Sequence, residues 1–137
     1  MKKLFFIVFM FLFYTVNAQT ITDEVPSIAN TDNEVYRSGE LQTKPDYPGG
    51  ISKFYKFIAK NFNMPDEEGL NGRLVVSFII EKDGSITDIK IVNDIGYGTG
   101  AEAARALKLS EKWIPGVLNG KKVRSLFTVP IIIKSAQ

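Results

Sequence analysis

The chain contains no cysteine and no histidine. Disulfides are therefore excluded, and the fold has to be held by burial alone. Zinc and copper centres lose their usual ligands. Mechanisms that pair a serine or cysteine nucleophile with a histidine base are ruled out as well. No catalytic residue, no metal site and no cofactor is expected, so the protein is not read as an enzyme. A long apolar run is also missing: the longest, Leu4 to about Val16, has thirteen residues, whereas a bilayer span takes about 20.

What that short run does fit is a leader. Met1-Lys2-Lys3 supplies a basic start, and Val16-Asn17-Ala18 places small residues before a cut. Residues 1–18 are read as a signal peptide, cleaved between Ala18 and Gln19, which predicts export to the periplasm. A retained inner-membrane anchor is the competing reading. With no cysteine beside the cut, lipid attachment of the bacterial lipoprotein kind is excluded.

Cleavage leaves 119 residues of the 137, enough for one ordinary domain. Lys2 and Lys3 belong to the leader, so the remaining 15 basic residues face 15 acidic ones. That balance removes the electrostatic case for nucleic-acid binding. The charge is segregated, however: residues 19–50 carry six acids and two bases, and past Glu111 there are five bases and no acid. That gradient can bias which partner approaches which end, but it is read first as an ordinary solvated surface.

Residues 19–44 are polar, show no sustained period and contain one proline, Pro26, so they are read as a flexible linker. Within them Glu34-Val35-Tyr36 has the composition of a short strand. Pro45 to Gly50 makes a dense break. A helix is predicted from Ile51 to Phe62, with Ile51, Phe54, Tyr55, Ile58 and Phe62 on one face. From Gly72 the period falls to two. Leu74, Val76, Phe78 and Ile80 point one way; Arg73, Ser77 and Glu81 point the other. Lys82-Asp83-Gly84-Ser85 turns the chain into a second strand, Ile86 to Asn93, with Thr87, Ile89 and Ile91 sharing a face. After the loop Gly96 to Gly100, Thr99 and Glu102 have the spacing of a capping box at the start of a helix running to Leu109. Asn119-Gly120 turns the chain into a last strand, Lys122 to Ile133. There Val123, Ser125, Phe127, Val129, Ile131 and Ile133 share one face, and Pro130, which cannot donate to a ladder, predicts a sheet edge. The order α-β-β-α-β predicts an α+β fold, two helices on a small three-stranded antiparallel sheet.

Three motifs invite sharper readings. Gly98-Thr99-Gly100-Ala101-Glu102-Ala103 fits the dinucleotide loop pattern, but it follows a hairpin strand and lacks the acid expected about 20 residues later. Asp66-Glu67-Glu68 is a run of adjacent acids, better read as solvated than as a catalytic pair. Trp113 beside a Pro-Gly turn is read as a packing anchor. The edge of the last strand remains: an extended peptide can complete it as an added strand.

Taken in order, Tyr47-Pro48-Gly49-Gly50, Gly72-Arg73-Leu74-Val75-Val76-Ser77-Phe78, Asp83-Gly84-Ser85-Ile86, Glu102-Ala103, Trp113-Ile114-Pro115-Gly116, Asn119-Gly120-Lys121 and Phe127-Thr128-Val129-Pro130-Ile131 resemble the TonB C-terminal domain, especially the form common in Bacteroidetes. The likeness covers residues 45–134, and 45–137 are taken as the domain. It implies a periplasmic module of energy-coupled transport. Its partner would be the TonB box, a short extended segment of an outer-membrane TonB-dependent receptor, added to the last strand. The implied site is Val123, Arg124, Ser125, Leu126, Phe127, Thr128, Val129 and Ile131. An inner-membrane proton-channel complex is the second implied partner, with this chain as energy transducer. A linker of 26 residues reaches at most about 90 Å, which keeps open an alternative: a soluble envelope interaction or regulatory module with the same fold and no energy-transducing role. Self-pairing of the edge leaves a homodimer open.

Overall fold

The computed structural model describes residues 32–136. The predicted signal peptide and the cleavage positions Ala18 and Gln19 lie outside the described residues. In chain order the elements are β1 (Val35–Arg37), a 3-10 turn (Ser38–Glu40), α1 (Ile51–Asn61), β2 (Asn71–Ile80), β3 (Ile86–Asn93), α2 (Thr99–Lys108), β4 (Gly116–Leu118) and β5 (Lys121–Lys134). The fold is α+β, as the alternation of periods predicts. The sheet is larger than expected, with five strands in place of three, in the order β1-β5-β2-β3 and with β4 also paired to β5. It is mixed, because β1 runs parallel to β5.

Both helices lie on one face of the sheet. Phe54 and Ile58 of α1, and Ala103, Ala106 and Leu107 of α2, close over Leu74, Val76, Phe78 and Ile80 of β2 and over Val129, Ile131 and Ile133 of β5. All four predicted inward residues of β2 are fully buried, so the period of two is enforced by a one-sided core. Trp113 is buried at its centre, with ring centroids 4.9 Å from Phe127, 5.0 Å from Phe54 and 5.2 Å from Tyr47. The β2–β3 turn reaches that residue's backbone: the Trp113 amide donates to the Gly84 carbonyl at 2.8 Å. A Cβ on Gly84 would stand 2.0 Å from the Trp113 carbonyl oxygen, so only glycine fits.

Three local expectations are corrected. The capping box does not form. Thr99 is buried and its hydroxyl donates back to the Gly96 carbonyl at 2.6 Å, while Glu102 accepts from the Asn63 amide at 2.8 Å and binds Arg105. Tertiary partners outcompete the local cap. On β3, Thr87 does not share a face with Ile89 and Ile91: it lies opposite Ile79, whereas Ile91 lies opposite Val76. A bulge inserts one residue there, with Asp88 at φ 50°, and an inserted residue reverses the facing of its successors along the strand. Finally, the linker expected over 19–44 is structured at its end. β1 pairs with β5, and Thr43 and Asp46 exchange backbone hydrogen bonds with Val117 and Ile114. No periodicity marks this stretch, because backbone pairing rather than side-chain burial holds it.

Candidate functional site: the outer edge of the last strand

β5 is the longest strand, and its two sides differ. Along its inner side it pairs with β2 without a break in register from Ser125↔Ile80 to Lys134↔Asn71, and β4 meets its first three residues. On its outer side β1 covers Arg124 to Leu126, and among the described residues no strand pairs beyond that point. The expectation of a sheet edge therefore holds only from Phe127 onward.

Two observations fix which backbone groups face outward. The Ser135 amide donates to Leu70, just ahead of β2, at 2.8 Å, so odd-numbered residues direct their amides and carbonyls inward. The Pro130 carbonyl accepts from the Tyr55 hydroxyl on α1 at 3.1 Å, on the other side. In an antiparallel ladder these directions alternate residue by residue. Arg124, Leu126, Thr128, Pro130, Ile132 and Lys134 therefore face outward. Pro130 costs the β2 ladder nothing, because its missing donor falls on the unpaired side.

Of the eight residues read as the pairing site, Arg124, Leu126 and Thr128 present backbone to the outside. Val123, Ser125, Phe127, Val129 and Ile131 turn theirs to β4 or β2 and their side chains toward the helices. Val123, Ser125, Val129 and Ile131 are buried and Phe127 is half-buried. Sequence reasoning missed Ile132 and Lys134, which continue the outer edge, and it missed Tyr55 as a lid over it. Ile132 is 68% exposed. Beside this stretch Tyr55, Ile58, Phe62 and Met64 of the α1 region face Pro130 to Lys134 across an apolar groove of about 430 Å³. The apolar face of α1 was legible as core; that its outer margin stands open beside the edge was not.

The opposite edge of the sheet is less suited to pairing. β3 carries two register shifts against β2, one of them at Asp88, and such bulges twist an edge away from flat pairing. At the start of the β5 edge the charge is internally matched. Arg124 donates to both carboxylate oxygens of Glu81, at 2.7 and 3.0 Å, and to the Asn33 carbonyl at 2.9 Å. The guanidinium holds the Glu81 carboxyl below its usual range.

The other motifs take the bland reading. Asp94 fills the place a phosphate would need at the start of α2: its carboxylate accepts from the Gly96 amide at 2.9 Å, and a Cβ on Gly100 would meet it at 2.3 Å. Asp66, Glu67 and Glu68 are exposed. Among the described residues no group of three or more acids could hold a metal ion. No described helix is long and apolar enough to cross a membrane.

The chain was compared with known families and solved structures. The family model described as Gram-negative bacterial TonB protein C-terminal matches residues 64–133, which include β2, β3, α2, β4 and all but the last residue of β5. Among solved structures, the chain is similar to the TonB-CTD of Helicobacter pylori, with 27% identity over 64% of this chain and 81% of that one, at a TM-score of 0.46. It is also similar to the TonB CTD of Pseudomonas aeruginosa, with 25% identity over 56% and 83%, at a TM-score of 0.42. No curated protein matches it.

Proposed function

We propose that this chain, which belongs to the Gram-negative bacterial TonB protein C-terminal family, binds an extended segment of an outer-membrane TonB-dependent transporter along the outer edge of β5. The family is one of periplasmic interaction domains, not enzymes, and is associated with TonB-dependent transport. The observation that carries the finer reading is the outer side of β5 beyond Leu126, which has no strand partner among the described residues and continues a ladder free of bulges. Such an edge offers amides and carbonyls in strand register, and an added strand completes them. The groove between α1 and Pro130–Lys134 gives an apolar side chain of that strand somewhere to go. Backbone pairing supplies affinity, and the groove supplies selection.

A second reading, a soluble envelope interaction or regulatory module without energy transduction, is favoured by one observation. Residues 35–46 are held against the sheet, which leaves less chain for reach than the 26-residue linker read from sequence. The inner-membrane proton-channel complex belongs to the first reading alone.

The test is calorimetric titration of the full chain with synthetic peptides copied from the amino-terminal extended segments of outer-membrane transporters. Each is compared with the same peptide N-methylated at alternate backbone amides. Binding by the plain peptide and its loss on methylation is the expected result. Equal binding by both removes edge pairing as the mechanism.

A further inference from the structure

We infer that β1 is a strand the chain keeps on its own recognition edge, and that a partner strand has to displace it. This rests on the edge-pairing reading above and adds the regulation of that site.

The backbone groups on the outer side of β5 decide the matter. Pro130 has no amide hydrogen, and its carbonyl is already bound by Tyr55. The outer edge is therefore divided there. Downstream lie only Ile132 and Lys134, at the end of the strand. Upstream, beyond the segment paired with β4, lie three consecutive outward residues, Arg124, Leu126 and Thr128. β1 pairs from Val35↔Arg124 to Arg37↔Leu126 and so occupies two of the three. With β1 in place, an incoming strand meets Thr128 alone before the proline. With β1 gone, it meets the whole run and can continue past Pro130 into the groove.

β1 is also the element least committed to the fold. It has three residues; Val35 and Arg37 are exposed, Tyr36 is half-buried, and none of them belongs to the core. What holds it besides the ladder is polar and near the surface: the Lys82–Asp32 ion pair at 2.7 Å, with Asp32 almost fully exposed, and the Arg124 contact with the Asn33 carbonyl. An exposed ion pair adds little. The chain after it is secured independently, by the paired bonds of Thr43 with Val117 and of Asp46 with Ile114. β1 can leave the edge while the segment behind it stays fixed and the core stays closed.

Occupancy by β1 lowers apparent affinity by the fraction of time the edge is open. If the edge is covered nine-tenths of the time or more, removing β1 strengthens binding about tenfold or more. The experiment compares full-length wild type with Tyr36→Pro, which removes the amide that the register directs at β5. It also uses Lys82→Ala, which releases the Asp32 tether and leaves every ladder bond in place. Transporter-derived peptides are titrated into each while backbone amide exchange is followed. The expected result is tighter binding by Tyr36→Pro, a smaller gain for Lys82→Ala, and loss of protection at Tyr36 when wild type binds. Equal affinity in all three proteins, with the Tyr36 amide still protected in the complex, overturns the inference and leaves edge pairing standing. Failure of every protein to bind, with Thr128 unperturbed, overturns both together.

Discussion

At the scale of single residues, the polar contact with the largest predicted consequence is Glu102. Arg105 and the Asn63 amide both stabilise its ionised form and lower its pKa from 4.5 to about 2. A depressed carboxyl pKa stabilises the fold above the unfolded value and ceases to as pH falls through the folded one. Wild type should therefore lose the Glu102 contribution between about pH 4.5 and pH 2. Glu102→Gln should flatten that part of the profile and cost about 1–2 kcal/mol near neutral pH, as read from thermal melts across the range. Trp113→Ala should cost about 3–5 kcal/mol, as measured by denaturant unfolding, because four aromatic rings lose their common neighbour. The two residues were not equally legible. Trp113 between a helix and a Pro-Gly turn reads as an anchor from composition alone. Glu102 reads as half of a local cap, because spacing reports the next turn of the helix and not a loop forty residues away.

At the scale of elements, β5 separates two kinds of position that look alike in sequence. Thr128 directs its amide outward and Val129 directs its amide to β2. Proline at Thr128 should leave a folded domain that has lost peptide binding. Proline at Val129 removes a ladder bond in the middle of the sheet and should unfold it or cost about 3 kcal/mol or more. Circular dichroism melts alongside peptide titration distinguish the two; equal behaviour would mean that the outward and inward assignment is wrong. The strand itself, its buried face and the significance of Pro130 were all legible, because alternation of side chains is written into the sequence. The alternation of backbone directions is not, since every residue but proline has the same amide and carbonyl. That is why the predicted site mixed outward Arg124, Leu126 and Thr128 with inward Ser125, Val129 and Ile131. β1 was legible as a short strand from Glu34-Val35-Tyr36, though not its pairing; β4 was not, since a strand of three residues completes less than two alternations. The bulge at Asp88 left no signal either, because an aspartate with positive φ looks like any aspartate.

At the scale of the whole molecule, the described fold rests on a single one-sided core, with no cysteine to form a disulfide. The layers and their order were legible because the two periods, 3.6 and 2, alternate cleanly from Ile51 to Ile133. The extent of the sheet was not, because its additions are backbone pairings at the margin. In the proposed reading those additions bear on binding: β1 pairs over the start of the open edge, and Tyr55 bonds the Pro130 carbonyl in what remains. The central claim is that the outer edge of β5 is where an extended partner joins the sheet. Its most direct test is a backbone amide titration of the full chain with transporter amino-terminal peptides. The outward amides Thr128 and Ile132, which β1 does not cover, should shift and gain protection from exchange, while inward amides such as Val129 and Ile131, already protected by β2, should keep the protection they have. Perturbation centred on β3, or none along residues 126–132, would contradict it.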